Sequence, residues 1–247
     1  MENYYQAELA GHHLLYKLRY PSTYLYLKGF TRAEAIAAGT NIISSPEEWT
    51  EWCRTQLPPD SKNGYVESRA MVWRSSLALL EWDCCVFHSV ALRWRGKAYL
   101  LTAPSGTGKT TQFQNWQRLF PGEVEMICGD MPVLEPRNDG SIWVHPSPWN
   151  GKESLRGAPA SPAAGLVLLE QGPENQILPM SGSEAVVRCL LQLLVRPETE
   201  NQILAISRLL NRLLSSLPLR RMVNRGDDAS TAMLREELAR MALEKEE

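Results

Sequence analysis

The densest chemistry in the chain lies in Ala103-Pro104-Ser105-Gly106-Thr107-Gly108-Lys109-Thr110, followed by Thr111. Few side chains obstruct the backbone there, so successive N–H groups can turn inward, and a helix opening at Thr110 would add its positive dipole end. An anion fits such a cradle. Lys109 would reach β- and γ-phosphates as a point charge, and the Thr110 hydroxyl would sit on Mg²⁺. Gly106, Gly108, Lys109 and Thr110 match the phosphate-loop pattern, while Ala103 stands where that pattern has Gly. The other reading of these residues is a Gly-rich turn from strand to helix with no ligand.

Such a loop needs a strand to deliver it and a helix to leave it. Cys84 to Leu92 reads as a strand, Arg95-Gly96 as a turn and Ala98 to Thr102 as the returning strand, a hairpin that ends at the loop. Beyond it, Phe113, Trp116 and Phe120 fall on one helical face, and Pro121-Gly122 stops that helix. Val124 to Cys128 is the next strand. It sets Asp130 at its carboxyl end, beside the crevice where α/β folds bind ligands, so Asp130 can meet a metal or a nucleophile. His88 lies within the apolar strand before the loop, where a histidine is either functional or simply packed and hydrogen-bonded.

The remaining elements supply cover. Pro132 to Leu134 and Ser141 to His145 read as short strands around Asn138-Asp139-Gly140. A loop rich in breakers, holding Lys152 and Glu153, runs from Pro146 to about Ala163, and loops of that length are often functional. Ala164 to Glu170 is a buried strand, and Asn175 to Met180 follows it. Ser181 to Glu184 is a capping box before an apolar helix, and Ile203, Ile206, Leu209, Leu210 and Leu213 stripe another. Pro218 to Asn224 is read as an edge strand, and a last helix starts near Asp228. At the amino end, Ser45-Pro46-Glu47-Glu48 is a helix start and a second helix spans about Val66 to Leu80. The aromatic side chains of that region, Trp49, Trp52 and Trp73 among them, read as core, and no chemistry is assigned to it.

Composition narrows the function classes. The 247 residues are 44% hydrophobic and 22% charged with a net charge of -2, which gives no broad attraction to nucleic acid. No apolar run approaches a membrane span, and Met1 to Tyr5 lacks the features of a signal peptide, so a cytoplasmic location is expected. Five cysteines without CxxC spacing argue for reduced, buried thiols and against a disulfide framework or structural zinc.

Four stretches taken together, His88-Ser89-Val90, Pro104 to Thr111, Ile127 to Asp130 and Ser147 to Glu153, resemble the HPr kinase/phosphorylase-like family. The likeness covers residues 84–180. It implies an α/β fold: a mixed-sheet P-loop nucleotide-binding core, shared with ATP-dependent phosphoenolpyruvate carboxykinase, over residues 83–247. Residues 1–82 would form a small α+β amino-terminal region and the last helices a carboxyl-terminal cover. The resemblance further implies ATP and Mg²⁺ as cofactors and transfer of the γ-phosphoryl group to a serine of a protein or peptide. Asp130, Lys109 and His88 would be catalytic. Pro104, Ser105, Gly106, Thr107, Gly108, Lys109, Thr110 and Thr111 would hold the nucleotide, and Thr110, Asp130 and Glu153 the metal. Gly129-Asp130 keeps one acid of the family's Asp-Asp pair, so Asp130 reads equally as base or metal ligand. A non-catalytic ATP sensor or assembly module and a small-molecule kinase are the alternatives. No nucleic acid or membrane partner is expected, and no motif marks the homo-oligomer interface that family relatives have.

Overall fold

The computed structural model describes residues 3–32, 42–45, 47–104, 106–151 and 157–244. At the amino end β1 (Asn3–Leu9) and β2 (His12–Leu18) pair antiparallel; the short helix α1 (Tyr24–Leu27) follows, and β3 (Thr31–Arg32) and β4 (Ile42–Ser44) flank the hairpin. The sequence pattern does not announce this sheet. Leu14, Leu15 and Tyr16 of β2 are all buried, so the alternation that marks a half-exposed strand is missing. Next come α2 (Glu47–Thr55), beginning where its acidic start predicts, and α3 (Asn63–Leu79), three residues longer at its amino end than expected.

Glu67 fastens α3 to the hairpin's exit. Its carboxylate is buried and accepts from Arg19 N (2.8 Å), Tyr20 N (3.1 Å) and Thr23 Oγ1 (2.5 Å). Three donors replace the water that the charge gives up on burial. Further along the helix, Ser75 Oγ bonds Tyr16 Oη at 2.8 Å.

The second half of the chain begins with β5 (Cys85–Val86), β6 (Val90–Trp94), β7 (Lys97–Thr102), α4 (Lys109–Leu119) and β8 (Val124–Cys128). It continues through β9 (Val133–Pro136), β10 (Ile142–His145), β11 (Ser161–Gln171), β12 (Gln176–Leu178), α5 (Gly182–Leu190), α6 (Glu200–Ser216), β13 (Leu219–Asn224) and α7 (Asp228–Glu244). The strands form one mixed sheet in the order β5-β9-β10-β11-β7-β6-β8, with β13 on β11 and β12 on β13.

Both faces of this sheet are covered, as the alternation along β7 records. Ala98 and Leu100 pack with Ile206, Leu209 and Leu213 of α6; Tyr99 and Leu101 pack with Phe113 and Trp116 of α4 and Leu234 and Leu238 of α7. Helix α7 approaches β11 so closely that a Cβ at Gly165 would come within 2.4 Å of Met241 Cε. A third core joins the amino-terminal strands to Val86, Met131, Val133 and Trp149. All five cysteines are free and buried, and among the described residues no helix is long and apolar enough to cross a membrane.

Three expectations change. The strand expected over Cys84 to Leu92 is broken at Phe87 to Ser89, because β5 pairs with β9 while β6 pairs with β7 and β8. His88 therefore sits in a gap between strands. The segment expected at the sheet edge, β13, lies between β11 and β12, since its parallel pairing with β11 is completed by an antiparallel one with β12. The long loop is shorter than expected, because β11 starts at Ser161.

Candidate functional site

Strand direction brings the singled-out residues together. β7 runs parallel to β11 and β11 to β13, while β6 is antiparallel to both β7 and β8. The carboxyl ends of β7, β8, β11 and β13 thus share one edge with the amino end of β6. The loop after β7, Asp130 after β8 and His88 before β6 all emerge there.

The loop between β7 and α4 has the backbone its glycines allow. Gly106 and Gly108 have φ of 83° and 95°, in the left-handed region that a side chain rarely adopts. Space is not the reason, since the nearest atom to a Cβ on Gly108 would be 3.9 Å away, on Thr111. α4 begins at Lys109, and the amide N–H groups of a helix's first turn have no partner within the helix. Thr110 is half-buried and Thr111 exposed in that turn; Pro104 and Gly106 are exposed, and Thr107 Oγ1 donates to Pro104 O at 2.8 Å. Gln171 at the end of β11 donates to Gly106 O at 3.4 Å. Ser105, Lys152 and Glu153 lie outside the described residues.

Lys109 is buried, and its ammonium donates to Ala103 O (2.8 Å) and Pro104 O (3.3 Å) of its own loop. Burial lowers its pKa, and the negative charge of Asp130 works in the opposite sense. A cation held by two carbonyl dipoles, with its charge short of full compensation, is suited to an incoming anion.

Asp130 is flanked by an imidazole and a guanidinium. His88 Nε2 is 3.4 Å from Oδ1 and Arg69 Nη1 is 3.7 Å from Oδ2. Gln192 faces the other ring nitrogen, Nδ1, at 3.0 Å, and the backbone holds the ring in place: His88 N donates to Gln192 O (2.8 Å), and His88 O accepts from Thr102 Oγ1 (2.8 Å). Asp130 O accepts from Ser89 N at 2.9 Å, tying the ends of β8 and β6. The next residue is pinned as well. Met131 O accepts from Ser147 Oγ (2.6 Å), Met131 N donates to Trp149 O (3.0 Å), and Trp149 Nε1 reaches Ser68 O on α3 (3.1 Å). His145 lies elsewhere, on Glu135 at 2.7 Å.

Arg69 and Gln192 carry no sequence signal. One is a helix residue of the region that reads as packing, and the other follows an apolar helix; the fold alone brings them to Asp130 and His88. Among the described residues no group of three His, Cys, Asp or Glu side chains is arranged to hold a metal ion.

Comparison with protein-family models and with curated proteins finds no match. Among solved structures, the Hpr(Ser) kinase/phosphatase from Coxiella burnetii aligns with 52% of this chain and 95% of its own at 14% identity, with a TM-score of 0.26. At that score the likeness is at most a distant one and transfers neither residue roles nor activity. The architecture stands on its own: a mixed α/β fold in which a strand–loop–helix unit, an aspartate and a histidine meet at one sheet edge.

Proposed function

We propose that this chain is an ATP-dependent phosphotransferase whose acceptor is a hydroxyl, a serine of a protein or peptide. The observation that supports it most is the convergence of two separate strand ends: Lys109 and the glycine loop after β7, and Asp130 with His88 beside it after β8. Phosphoryl transfer asks a protein for little else: charge neutralised on the phosphate, the nucleophile in line, and an acceptor for its proton.

In this reading the loop amides and Lys109 bind the triphosphate. Gly106 and Gly108 give the backbone its turn, and Pro104, Ser105, Thr107 and Thr111 complete the cradle. Asp130 takes the proton of the acceptor hydroxyl while that oxygen forms a bond to the γ-phosphorus. The bond to the β–γ bridging oxygen breaks, and ADP leaves with its electron pair. His88 and Arg69 hold the two carboxylate oxygens and so fix the direction in which Asp130 accepts. Mg²⁺ would supply further charge neutralisation, with Thr110 and Glu153 to hold it, and Asp130 as a third ligand in the alternative where it is not the base; a cation that keeps most of its own waters fits a site with so few protein ligands.

Purified protein, incubated with Mg²⁺ and γ-labelled ATP in dialysed cell extract, tests this beside Asp130→Asn. Label on a discrete protein or peptide, absent with the variant, supports a protein kinase. A second reading rests on the ion pairs around Asp130, which also suit a static structural network. On that reading ATP orders a surface without transfer; calorimetric ATP binding with no label on any acceptor would favour it.

A further inference from the structure

A cleft of about 390 Å³ opens between α2 and the segment that follows α5, lined by Glu48, Trp49, Trp52, Arg196, Pro197 and Glu198. A chain of contacts leads from it toward the Asp130 cluster. Trp73 of α3 meets Trp52 edge-on at 5.7 Å, and Arg69, one helical turn away on the same face, contacts Asp130. The opposite wall leads there too: Gln192, which holds His88, is four residues from Arg196, at most about 14 Å of extended chain.

The charges in the cleft are unevenly matched. Arg74 pairs with Glu198 at 2.9 Å. The Arg196 guanidinium lies over the indoles of Trp49 (5.6 Å) and Trp52 (5.2 Å), and among the described residues no carboxylate comes within ion-pair distance of it. Two aromatic faces thus orient a planar cation whose hydrogen-bonding edge is left for another partner. Glu48, exposed on the first turn of α2, is the opposing charge on the rim. Burial raises the neighbouring Cys53 thiol to about 11, and the positive charges of Arg69 and Arg196 act against that rise.

We propose that this cleft is the acceptor subsite and that it takes an acidic peptide. One carboxylate would seat on Arg196 and an apolar side chain on the indoles, about four residues from the hydroxyl presented to Asp130. This rests on the phosphotransferase reading for its direction toward Asp130. The aromatic platform and the uncommitted guanidinium are independent of it.

The test uses the full chain without nucleotide and fluorescein-labelled peptides of roughly ten residues. Each has one serine and, about four positions away, a pair of glutamates, lysines or alanines. Anisotropy titrations should give the glutamate peptide at least about tenfold tighter binding than either other, and Arg196→Ala should remove that preference. Arg196→Gln, which keeps the length and most of the packing, should lose it too. Equal or tighter binding of the lysine peptide, or a glutamate preference that survives both substitutions, would overturn the proposal. ATP affinity measured on the same samples reports on the nucleotide reading separately: it should be unchanged in both variants, and its absence in wild type would sink that reading without touching the peptide result.

Discussion

Gln112 and Lys109 stand three positions apart on α4, yet the polar groups around them are arranged in opposite ways. Gln112 is buried among neutral partners, with both amide hydrogens and the carbonyl oxygen engaged. Its amide donates to Asn224 Oδ1 (3.1 Å) and Ser230 Oγ (2.9 Å) and accepts from Thr231 Oγ1 (2.8 Å). Asn224 in turn donates to Glu170 O and accepts from Gly226 N. The network clamps α4 to the ends of β11 and β13 and to the start of α7. Around Lys109 and Asp130 the arrangement is charged and open: Lys109 is buried on two carbonyls of its own loop, and Asp130, partly exposed, has only contacts of 3.4 and 3.7 Å to His88 and Arg69. A saturated neutral network resists change, whereas an open charged one has capacity left for a ligand. The first fixes the helix so that the second is correctly placed.

The largest break of that comparison is Asp130→Asn. Transfer of label should fall by about 10²- to 10⁴-fold as the proton acceptor is lost, while urea unfolding moves by less than about 1 kcal/mol, because the ion pairs removed are partly solvated. A variant with wild-type transfer rates would refute the role given to Asp130. Gln112→Leu should do the reverse. Three buried polar groups each lose a partner, so stability should drop by about 2 kcal/mol in chemical denaturation. ATP affinity should weaken only through the helix it displaces. An unchanged unfolding midpoint would show that the network is not the clamp.

Glu135, Arg137 and His145 form an intermediate case that sharpens the contrast, a charged cluster with every partner in place. Burial lowers the His145 pKa below 6.5, with the Glu135 carboxylate opposing. Burial pushes Glu135 up, but hydrogen bonds from Arg137 and His145 outweigh it and leave the carboxyl below 4.5. As pH falls through 6.5 the unfolded chain takes up a proton at His145 before the folded one does, so stability declines. Once pH drops to the depressed Glu135 value, that carboxylate's contribution is lost as well. Urea unfolding from roughly pH 7 to 5 should therefore lose on the order of 1 kcal/mol at this site, and His145→Gln should flatten the slope. A slope unaltered by the substitution would mean that His145 does not titrate in this range.

The smallest effect is expected beside His88. Ser89 is fully buried and its hydroxyl has no partner among the described residues, so Ser89→Ala should leave stability within about 0.5 kcal/mol of wild type or raise it. A marked loss on thermal unfolding would reveal a partner for that hydroxyl and make it part of the site.

How much of this was legible depends on sequence distance. The unit from Lys97 to Leu119 could be read because its causes are local: an apolar run, two glycines with left-handed backbone, and a helical apolar stripe ending at Pro121-Gly122. Asp130 could be placed because strand ends are where α/β folds bind ligands. The amino-terminal sheet could not, since Leu14, Leu15 and Tyr16 are buried together and erase the two-residue period. The interior position of β13 was hidden for a related reason: its neighbours β11 and β12 are chosen by packing, and nothing within Leu219–Asn224 distinguishes an edge from a centre.

The sequence by itself therefore determined the types of the central elements, the loop that β7 delivers and the residues proposed to bind phosphate or accept a proton. Each of these follows from propensities and spacings within a few residues. Only the tertiary structure decided what surrounds them. Arg69 reaches Asp130 across 61 positions, Gln192 reaches His88 across 104, and Arg196 meets Trp49 and Trp52 only once the segment after α5 is brought against α2. No local pattern encodes such pairs, because what selects them is the burial of apolar faces by the whole chain at once.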